Sequence, residues 1–319
     1  MDRLKNSLPG VFAFLIVLLL MPLGHALMVL NEQLLHINQF IGAAVIGLVG
    51  MALLAWGLKV NQKPATATVL GLLAGVLVWT GWVEFSFVWM AHKLQVQPLM
   101  ENGEVATKPE YLVMLSSLGL LASVTLLYLF GSTRCTFFVW FQKRMGFFNK
   151  LKLAAAPASA RPLAVITFME TLMLIWTFYI VLLLVYDKDI AGDRHPATYV
   201  VAFGSLAWSM YLMTRLVRIR VFDQAVRYAI PTVVIFWNFV EVIGRWDMFH
   251  EIWVHPFEYW LENTVILASL LGFIAATVLG GIGERKKERP GKRAAHEDSS
   301  RLSINLTAGQ PKKEAVAQL

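Results

Sequence analysis

The sequence predicts an all-α fold: a polytopic integral membrane bundle of about eight transmembrane helices, with both termini in the cytoplasm. Three observations lead to this prediction: the composition, the long apolar runs and the distribution of lysine and arginine. Of the 319 residues, 57% are hydrophobic and 15% are charged, whereas soluble domains carry about 25% charged residues. This balance favours membrane spans over a large soluble core.

Eight apolar segments are each close to or above the roughly 20 residues that cross about 30 Å of hydrocarbon. Each is predicted to be a helix, because lipid offers no hydrogen-bond partner for free backbone groups. Together they form a predicted transmembrane domain over residues 1–283. The segments cover residues 8–30, 39–59, 66–92, 110–131, 163–186, 197–214, 222–245 and 258–283.

Lysine and arginine concentrate in alternate hydrophilic regions: the N-terminus, the second, fourth and sixth connections, and the tail. Cytoplasmic loops carry such an excess, so the pattern predicts a multi-pass protein of a bacterial-type inner membrane. The net charge of +7 reflects this topology, and it does not indicate a nucleic-acid partner. We expect membrane lipid as a partner, and a periplasmic or membrane protein if the chain acts in a complex. The polar tail, 284–319, is predicted to be disordered in the cytoplasm.

Two amphipathic segments lie outside the predicted spans. Residues 135–150 alternate phenylalanine and tryptophan with lysine and arginine, which is typical of a basic helix on anionic lipid. Residues 246–262 place aromatic and acidic side chains at helical spacing on two opposed faces. We therefore predict an amphipathic outer helix over 246–262, with a kink or a break at Pro256.

Glu84, Glu170 and Glu241 are the candidate ionisable residues inside the predicted spans. A carboxylate in hydrocarbon costs at least a few kcal/mol, so each one needs a partner or a function. Glu84 and Glu241 both lie in the predicted outer half, and we predict them as the catalytic residues. Glu241 can alternatively pair with Arg245 one turn away. Glu170, beside Thr167 and Thr171, is better explained by hydrogen bonds between helices.

Six of the seven histidines fall on the predicted outer side. Histidine is the commonest metal ligand, and mixed imidazole and carboxylate sets suit iron, copper, zinc or manganese. The sequence therefore predicts a transition-metal site, assembled between helices above the buried glutamates. Its candidate ligands are His92, His195, His250, His255, Asp187, Asp247 and Glu251.

Simpler explanations apply to several of these residues. His25 follows Pro22 and Gly24 near the outer end of the first span, where a hydrogen-bonded histidine at a helix end is the default. Asp187 and His195 belong to a short polar loop, where such residues usually form turns and helix caps. The single cysteine, Cys135, excludes an intramolecular disulfide and any multi-cysteine metal site within the chain.

Three functions fit these features. The first is a metal-dependent membrane enzyme of redox or hydrolytic type, with Glu84 and Glu241 as ligands or proton carriers. The second is a proton- or ion-coupled transporter of a small solute that uses the intramembrane glutamates. The third is a non-catalytic membrane subunit that binds an outer partner. The histidines on one side and the apparently unbroken spans favour the enzyme.

Overall fold

The structure, a computed structural model, describes residues 2–61, 63–101, 104–130, 142–146 and 162–279. The described residues are mainly helical, with one short antiparallel hairpin of two strands. The helices are α1 Asp2–Leu35, α2 Gln39–Lys59, α3 Pro64–Val78, α4 Phe85–Lys93, α5 Pro109–Leu115, α6 Leu118–Phe130, α7 Leu163–Tyr186, α8 Pro196–Leu216, α9 Phe222–Arg245 and α10 Trp260–Val278, and the strands are β1 Leu99–Glu101 and β2 Glu104–Thr107.

Within these residues, five helical stretches are long and apolar enough to cross a membrane, or six if a bent pair counts as one span. The bent pair, Pro109–Leu115 and Leu118–Leu127, turns by 47°. The predicted all-α bundle is therefore supported, whereas the count of eight is not confirmed. The predicted span 197–214 forms helix α8 but is not among the five stretches, because serine, threonine and arginine lower its hydropathy.

The first apolar stretch, Leu8–Lys59, holds two of the predicted spans. A 3-10 turn at His36–Asn38 joins α1 to α2, and His36 has a φ of 33°. Asn31 donates a hydrogen bond to the Gln39 carbonyl at 2.9 Å, and a Cβ added at Gly42 would contact the Asn31 side chain. Asn31 and Gly42 would lie about 16 Å apart in a straight helix. The chain therefore bends back sharply at this turn.

Glycines set the close helix packing beside α3. A Cβ at Gly50 of α2 would meet Val78, Ala74 and Leu77, and one at Gly57 would meet Ala164. A Cβ at Gly71 of α3 would meet the backbone of Ala164 in α7. Small residues let backbones approach where hydrophobic driving force is weak, so α2, α3 and α7 form a tightly packed layer.

The largest buried core cluster joins α1, α3, α7 and α9. Ile16, Leu72, Ile230 and Val233 are fully buried within it. These side chains come from the N-terminal or middle parts of their helices, and they belong to one contact cluster. The cluster matters for function because its members Trp79, Ile175 and Val234 also line the cavity described below.

Residues 246–262 differ from the prediction of an amphipathic helix. The chain forms turns from Trp246 to Tyr259, and α10 begins only at Trp260. Asp247 has a φ of 57°, which ends the helical path after α9, and Pro256 removes a backbone donor from the turn segment. Trp246 and Trp253 are buried instead of lying on a helix surface. Most of the predicted segment 135–150 and all of the tail 284–319 lie outside the described residues.

Candidate functional site

A cavity of about 260 Å³ lies among α1, α3, α7 and α9, and residues from α5 and the outer turns complete its wall. The lining is mostly apolar, with a few polar side chains that converge on one space, which is typical of ligand sites. The polar and charged residues include His25, Glu84, Tyr111, Tyr179, Asn238, Glu241, Arg245 and Glu251.

Glu84 reaches the cavity from an irregular helix. Residues Trp79–Glu84 form a π-helical turn between α3 and α4. Such turns are rare and often lie at functional sites. Trp79, Thr80 and Glu84 all line the cavity, and Glu84 is 4% exposed. The π turn therefore brings a buried carboxyl group and an aromatic ring to the same wall.

Glu84, Tyr179, His25 and Glu241 form a series of polar contacts inside the bundle, referred to below as the buried network; Glu84 is buried and the other three are half-buried. The Tyr179 hydroxyl donates to Glu84 Oε1 at 3.4 Å and lies 3.4 Å from His25 Nε2. His25 Nε2 lies 3.5 Å from Glu241 Oε1. The indole Nε1 of Trp237 donates to the same Glu241 oxygen at 2.6 Å. Two carboxyl groups on different helices are thus connected through a phenol and an imidazole.

Aromatic rings surround the buried network. The Tyr179 ring lies 5.5 Å from the Trp79 ring and 6.1 Å from the Tyr111 ring, centroid to centroid. His25 stacks on Tyr179, with centroids 6.4 Å apart and planes 14° apart. The Trp237 ring also lies 6.4 Å from the His25 ring, with the two planes tilted by 35°. The polar groups are therefore held against π faces rather than aliphatic side chains alone.

The outer edge of the cavity is fixed by a second group of contacts. Arg245 Nε donates to Asp193 Oδ1 at 2.6 Å, and its guanidinium lies over the Tyr186 ring at 4.4 Å. Trp246 Nε1 donates to the Asp193 carbonyl at 2.9 Å. These contacts join the end of α9 to the loop before α8.

Glu251 belongs to the turn segment between α9 and α10, and its side chain lines the cavity. A Cβ added at Gly244 would contact the Glu251 carboxylate, so the absence of a side chain at Gly244 permits this close approach. Burial raises the pKa of the Glu251 carboxyl, and the nearby Glu241 and Asp247 carboxylates raise it further. Glu251 therefore keeps its proton to a higher pH than an exposed glutamate does.

The structure separates the predicted site residues into two sets. Glu84 and Glu241, predicted as catalytic, line the same cavity, and so does Glu251 from the predicted metal ligands. The other predicted ligands are not in the cavity wall. The exposed ones are His92, His195, His250, His255 and Asp247.

Local hydrogen bonds explain why two of the predicted metal ligands, His195 and Asp187, lie outside the cavity. His195 is the N-cap of α8, and its Nδ1 accepts a hydrogen bond from the Ala197 backbone at 3.2 Å. Asp187 Oδ1 accepts from the Asp189 backbone at 2.9 Å in a turn. Among the described residues, no three histidine, cysteine, aspartate or glutamate side chains form a set that could hold a metal ion. The predicted metal site and histidine cluster are therefore not supported in this part of the chain.

Sequence reasoning missed His25 and Tyr179, the two residues that connect the carboxyl groups. The sequence predicts a helix-end role for His25, and Tyr179 lies among apolar residues in the second half of its span, where no motif marks it. A usable signal was the position of Pro22 before His25, because an intrahelical proline followed by an ionisable residue often marks an irregular helix. Glu170 is buried but does not line the cavity.

The apolar helices fit a multi-pass membrane protein, with a cavity that contains ionisable residues. Comparison with known proteins finds no match among family models, curated proteins or solved structures.

Proposed function

We propose that this protein is a proton-coupled carrier of a small solute in a bacterial-type inner membrane, and that the cavity is its solute site. The observation that supports this most is the buried network. Glu84 and Glu241 are connected through Tyr179 and His25 inside an apolar bundle. Intramembrane acids that share a cavity with a histidine are typical of proton relays in transporters.

The shape of the bundle supports a carrier. Thr107 and Glu251 lie outside the five apolar stretches and yet line the cavity, so the cavity reaches the segments between helices. On the predicted topology this side is periplasmic. Towards the N-terminal parts of the same helices, the buried core cluster around Ile16 and Ile230 packs α1 against α9. A cavity between packed helices that reaches the segments on one side is compatible with alternating access.

Three helices around the cavity contain a proline or a π turn near the site. Pro22 lies inside α1 before His25, the π turn ends at Glu84, and Pro231 lies inside α9 before Trp237. Transporter sites are commonly built on interrupted helices, and prolines and π turns are where helices bend. The sequence had argued against a transporter because its spans looked unbroken, and the π turn weakens that argument.

The test is proton movement in vesicles that contain the purified full chain and a trapped pH-sensitive dye. Gradients of tetramethylammonium, trimethylamine N-oxide and methanesulfonate are imposed in turn, which covers a cation, a neutral zwitterion and an anion. We expect one gradient to drive proton movement in the wild type and not in Glu84→Gln or Glu241→Gln. Glu170→Gln is the matched control, a buried glutamate outside the cavity. Absence of movement with all three gradients, or equal movement in Glu84→Gln, contradicts the proposal.

A further inference from the structure

We propose that the solute is a small organic cation, a protonated or quaternary amine, held between the carboxylates of Glu84 and Glu241 and the rings of Trp79, Tyr179 and Trp237. This proposal rests on the proposed carrier function and names its substrate class. Coupling follows from charge: either the cation or a proton neutralises the negative charge of the same two carboxylates, so binding of one releases the other.

The charges in the cavity wall favour a cation. Among the described residues that line the cavity, Glu84, Glu241 and Glu251 are acidic, and Arg245 and His25 are the basic ones. The Arg245 guanidinium is already bound to Asp193 at 2.6 Å, and His25 contacts Glu241. An anionic solute would meet three acids and no guanidinium that is free of an acidic partner. A cation would meet two carboxylates that lack a lysine or arginine partner in the described structure.

The aromatic wall is an independent observation that points to the same ligand. Trp79, Tyr179 and Trp237 all line the cavity; the Trp79 and Tyr179 ring centroids lie 5.5 Å apart, and the Trp237 ring lies 6.4 Å from the His25 ring. Aromatic faces attract cations, and rings arranged around a space recognise quaternary ammonium groups. Proton conduction alone does not require several aromatic side chains around the cavity. An amine site uses the aromatic faces to attract the cation and the carboxylates to neutralise its charge.

The size of the cavity limits the solute. Its volume of about 260 Å³ lies just below the 300–1,000 Å³ typical of pockets for drug-sized ligands. The last turn of α9 contributes Glu241 and Arg245 at the cavity edge. The C-terminal end of a helix carries partial negative charge, which also favours a cation. The expected ligand is therefore a compact amine with alkyl groups that fill the space between the rings.

Exchange between cation and proton follows from charge compensation. A carboxylate in a bilayer needs either a proton or a nearby positive charge. Several groups act on Glu84 and Glu241 from neighbouring elements, so the proton released belongs to the network rather than to one residue. These groups are His25 and Glu32 on α1, Lys108, Glu110 and Tyr111 around the start of α5, Tyr179 and Tyr186 on α7, Arg245 on α9, and Glu251 in the outer turns.

The test is calorimetric titration of the purified full chain in detergent with the three probes named above. Tetramethylammonium and trimethylamine N-oxide have nearly the same size, and neither changes protonation near neutral pH. We expect tetramethylammonium to bind most tightly, with an affinity that rises by up to about tenfold per pH unit if one proton is released. Buffers of different ionisation enthalpy then report that proton directly.

Glu84→Gln and Glu241→Gln should each weaken tetramethylammonium binding by about tenfold or more, because each removes a charge partner from a buried ion. Glu170→Gln should bind as the wild type does. If a cavity variant does not fold, two measurements on the wild type still test the proposal: the order of its affinities for the three probes, and the pH dependence of tetramethylammonium binding. Equal or tighter binding of trimethylamine N-oxide or methanesulfonate overturns the proposal, as does tetramethylammonium binding that is independent of pH.

The two proposals fail in different ways. Selective and pH-dependent binding of tetramethylammonium without proton movement in vesicles leaves the cation site standing and removes the carrier. Proton movement driven by trimethylamine N-oxide or methanesulfonate, with no tetramethylammonium binding, leaves a carrier of another solute class. If neither proton movement nor tetramethylammonium binding is observed, both the carrier function and the cation site are ruled out.

Discussion

The indole of Trp237 orients the carboxylate of Glu241. Its Nε1 donates to Glu241 Oε1 at 2.6 Å from one turn earlier on the same helix, and that oxygen faces His25 at 3.5 Å. The Trp237 ring is in turn packed against Trp253 of the outer turn segment, with centroids 5.0 Å apart. The position of the Glu241 carboxylate therefore depends on a residue that also contacts the outer turn segment.

Trp237→Phe tests this relationship. The substitution keeps a ring but removes the donor to Glu241, and a hydrogen bond to an acidic group contributes about 1.5–3 kcal/mol. We expect a loss of roughly that size in the free energy of unfolding, measured by thermal unfolding in detergent. Trp208→Phe, on the exposed face of α8, is the matched control. Equal losses in the two variants would show that the hydrogen bond contributes nothing specific.

Gly81→Ala tests the packing of the π turn. A Cβ at Gly81 would lie 2.5 Å from the Gly47 nitrogen and 2.6 Å from the Ala43 carbonyl oxygen, both backbone atoms of α2. Backbone cannot move aside as a side chain can, so we expect a loss of about 1–3 kcal/mol in unfolding free energy. Gly204→Ala meets no atom within 4 Å and should stabilise α8 slightly. A Gly81→Ala protein as stable as the wild type would contradict the close contact.

Glu251→Gln tests the raised pKa of that carboxyl through the pH dependence of stability. In the folded protein Glu251 keeps its proton above the ordinary value of 4.5, because burial disfavours the charged form. The unfolded chain releases this proton first as the pH rises. The unfolding free energy of the wild type should therefore fall between pH 4.5 and the raised pKa, and glutamine removes this contribution.

The stability of Glu251→Gln relative to the wild type should accordingly increase as the pH rises through that window. The measurement is the melting temperature of both proteins across the acidic to neutral range. Glu258→Gln, on the exposed side of the same segment, is the control and should show no such trend. A difference between Glu251→Gln and the wild type that stays constant with pH would show that Glu251 is not desolvated.

His25→Gln distinguishes the cavity histidine from the exposed ones. His25 connects Tyr179 to Glu241, so its removal interrupts the buried network. We expect solute-driven proton movement to fall by about tenfold or more, since the loss of one such contact costs about 1–3 kcal/mol. His92→Gln and His255→Gln, at exposed positions, should retain wild-type movement. The reverse pattern would favour the histidines that the sequence had suggested.

Sequence alone was informative about Glu84 and Glu241, because a carboxyl group in an apolar run has to be explained by its surroundings. It could not find their connection. Tyr179 and His25 meet these acids only because α1, α7 and α9 pack together, and no local pattern encodes which faces of three helices meet. The alternative that Glu241 pairs with Arg245 depends on the same kind of contact. The structure offers Arg245 a closer partner, Asp193, from a loop distant in sequence.

The outer segment shows a different limit of sequence reasoning. Aromatic residues at helical spacing over 246–262 indicated a helix, but the same spacing also suits a folded turn whose indoles are buried. The spacing of apolar residues does not show whether the backbone forms the hydrogen bonds of a helix. Pro256 has no backbone N–H group, so one helical hydrogen bond cannot form there. In this turn segment His250 and His255 are exposed.

The π turn at Trp79–Glu84 lets the chain meet two requirements independently: the packing of α3 glycines against α7, and the direction of the Glu84 carboxyl group. In a regular helix, one would fix the other. A π turn holds one residue more than the α-helical turn it replaces. Deleting that residue would rotate everything downstream by about 100° and shift it by about 1.5 Å along the axis. Upstream, Gly71 and Gly75 stay in phase with α7. The π turn changes the rotation of the residues that follow it. The direction of the Glu84 carboxyl group can therefore differ while Gly71 and Gly75 keep their contacts with α7.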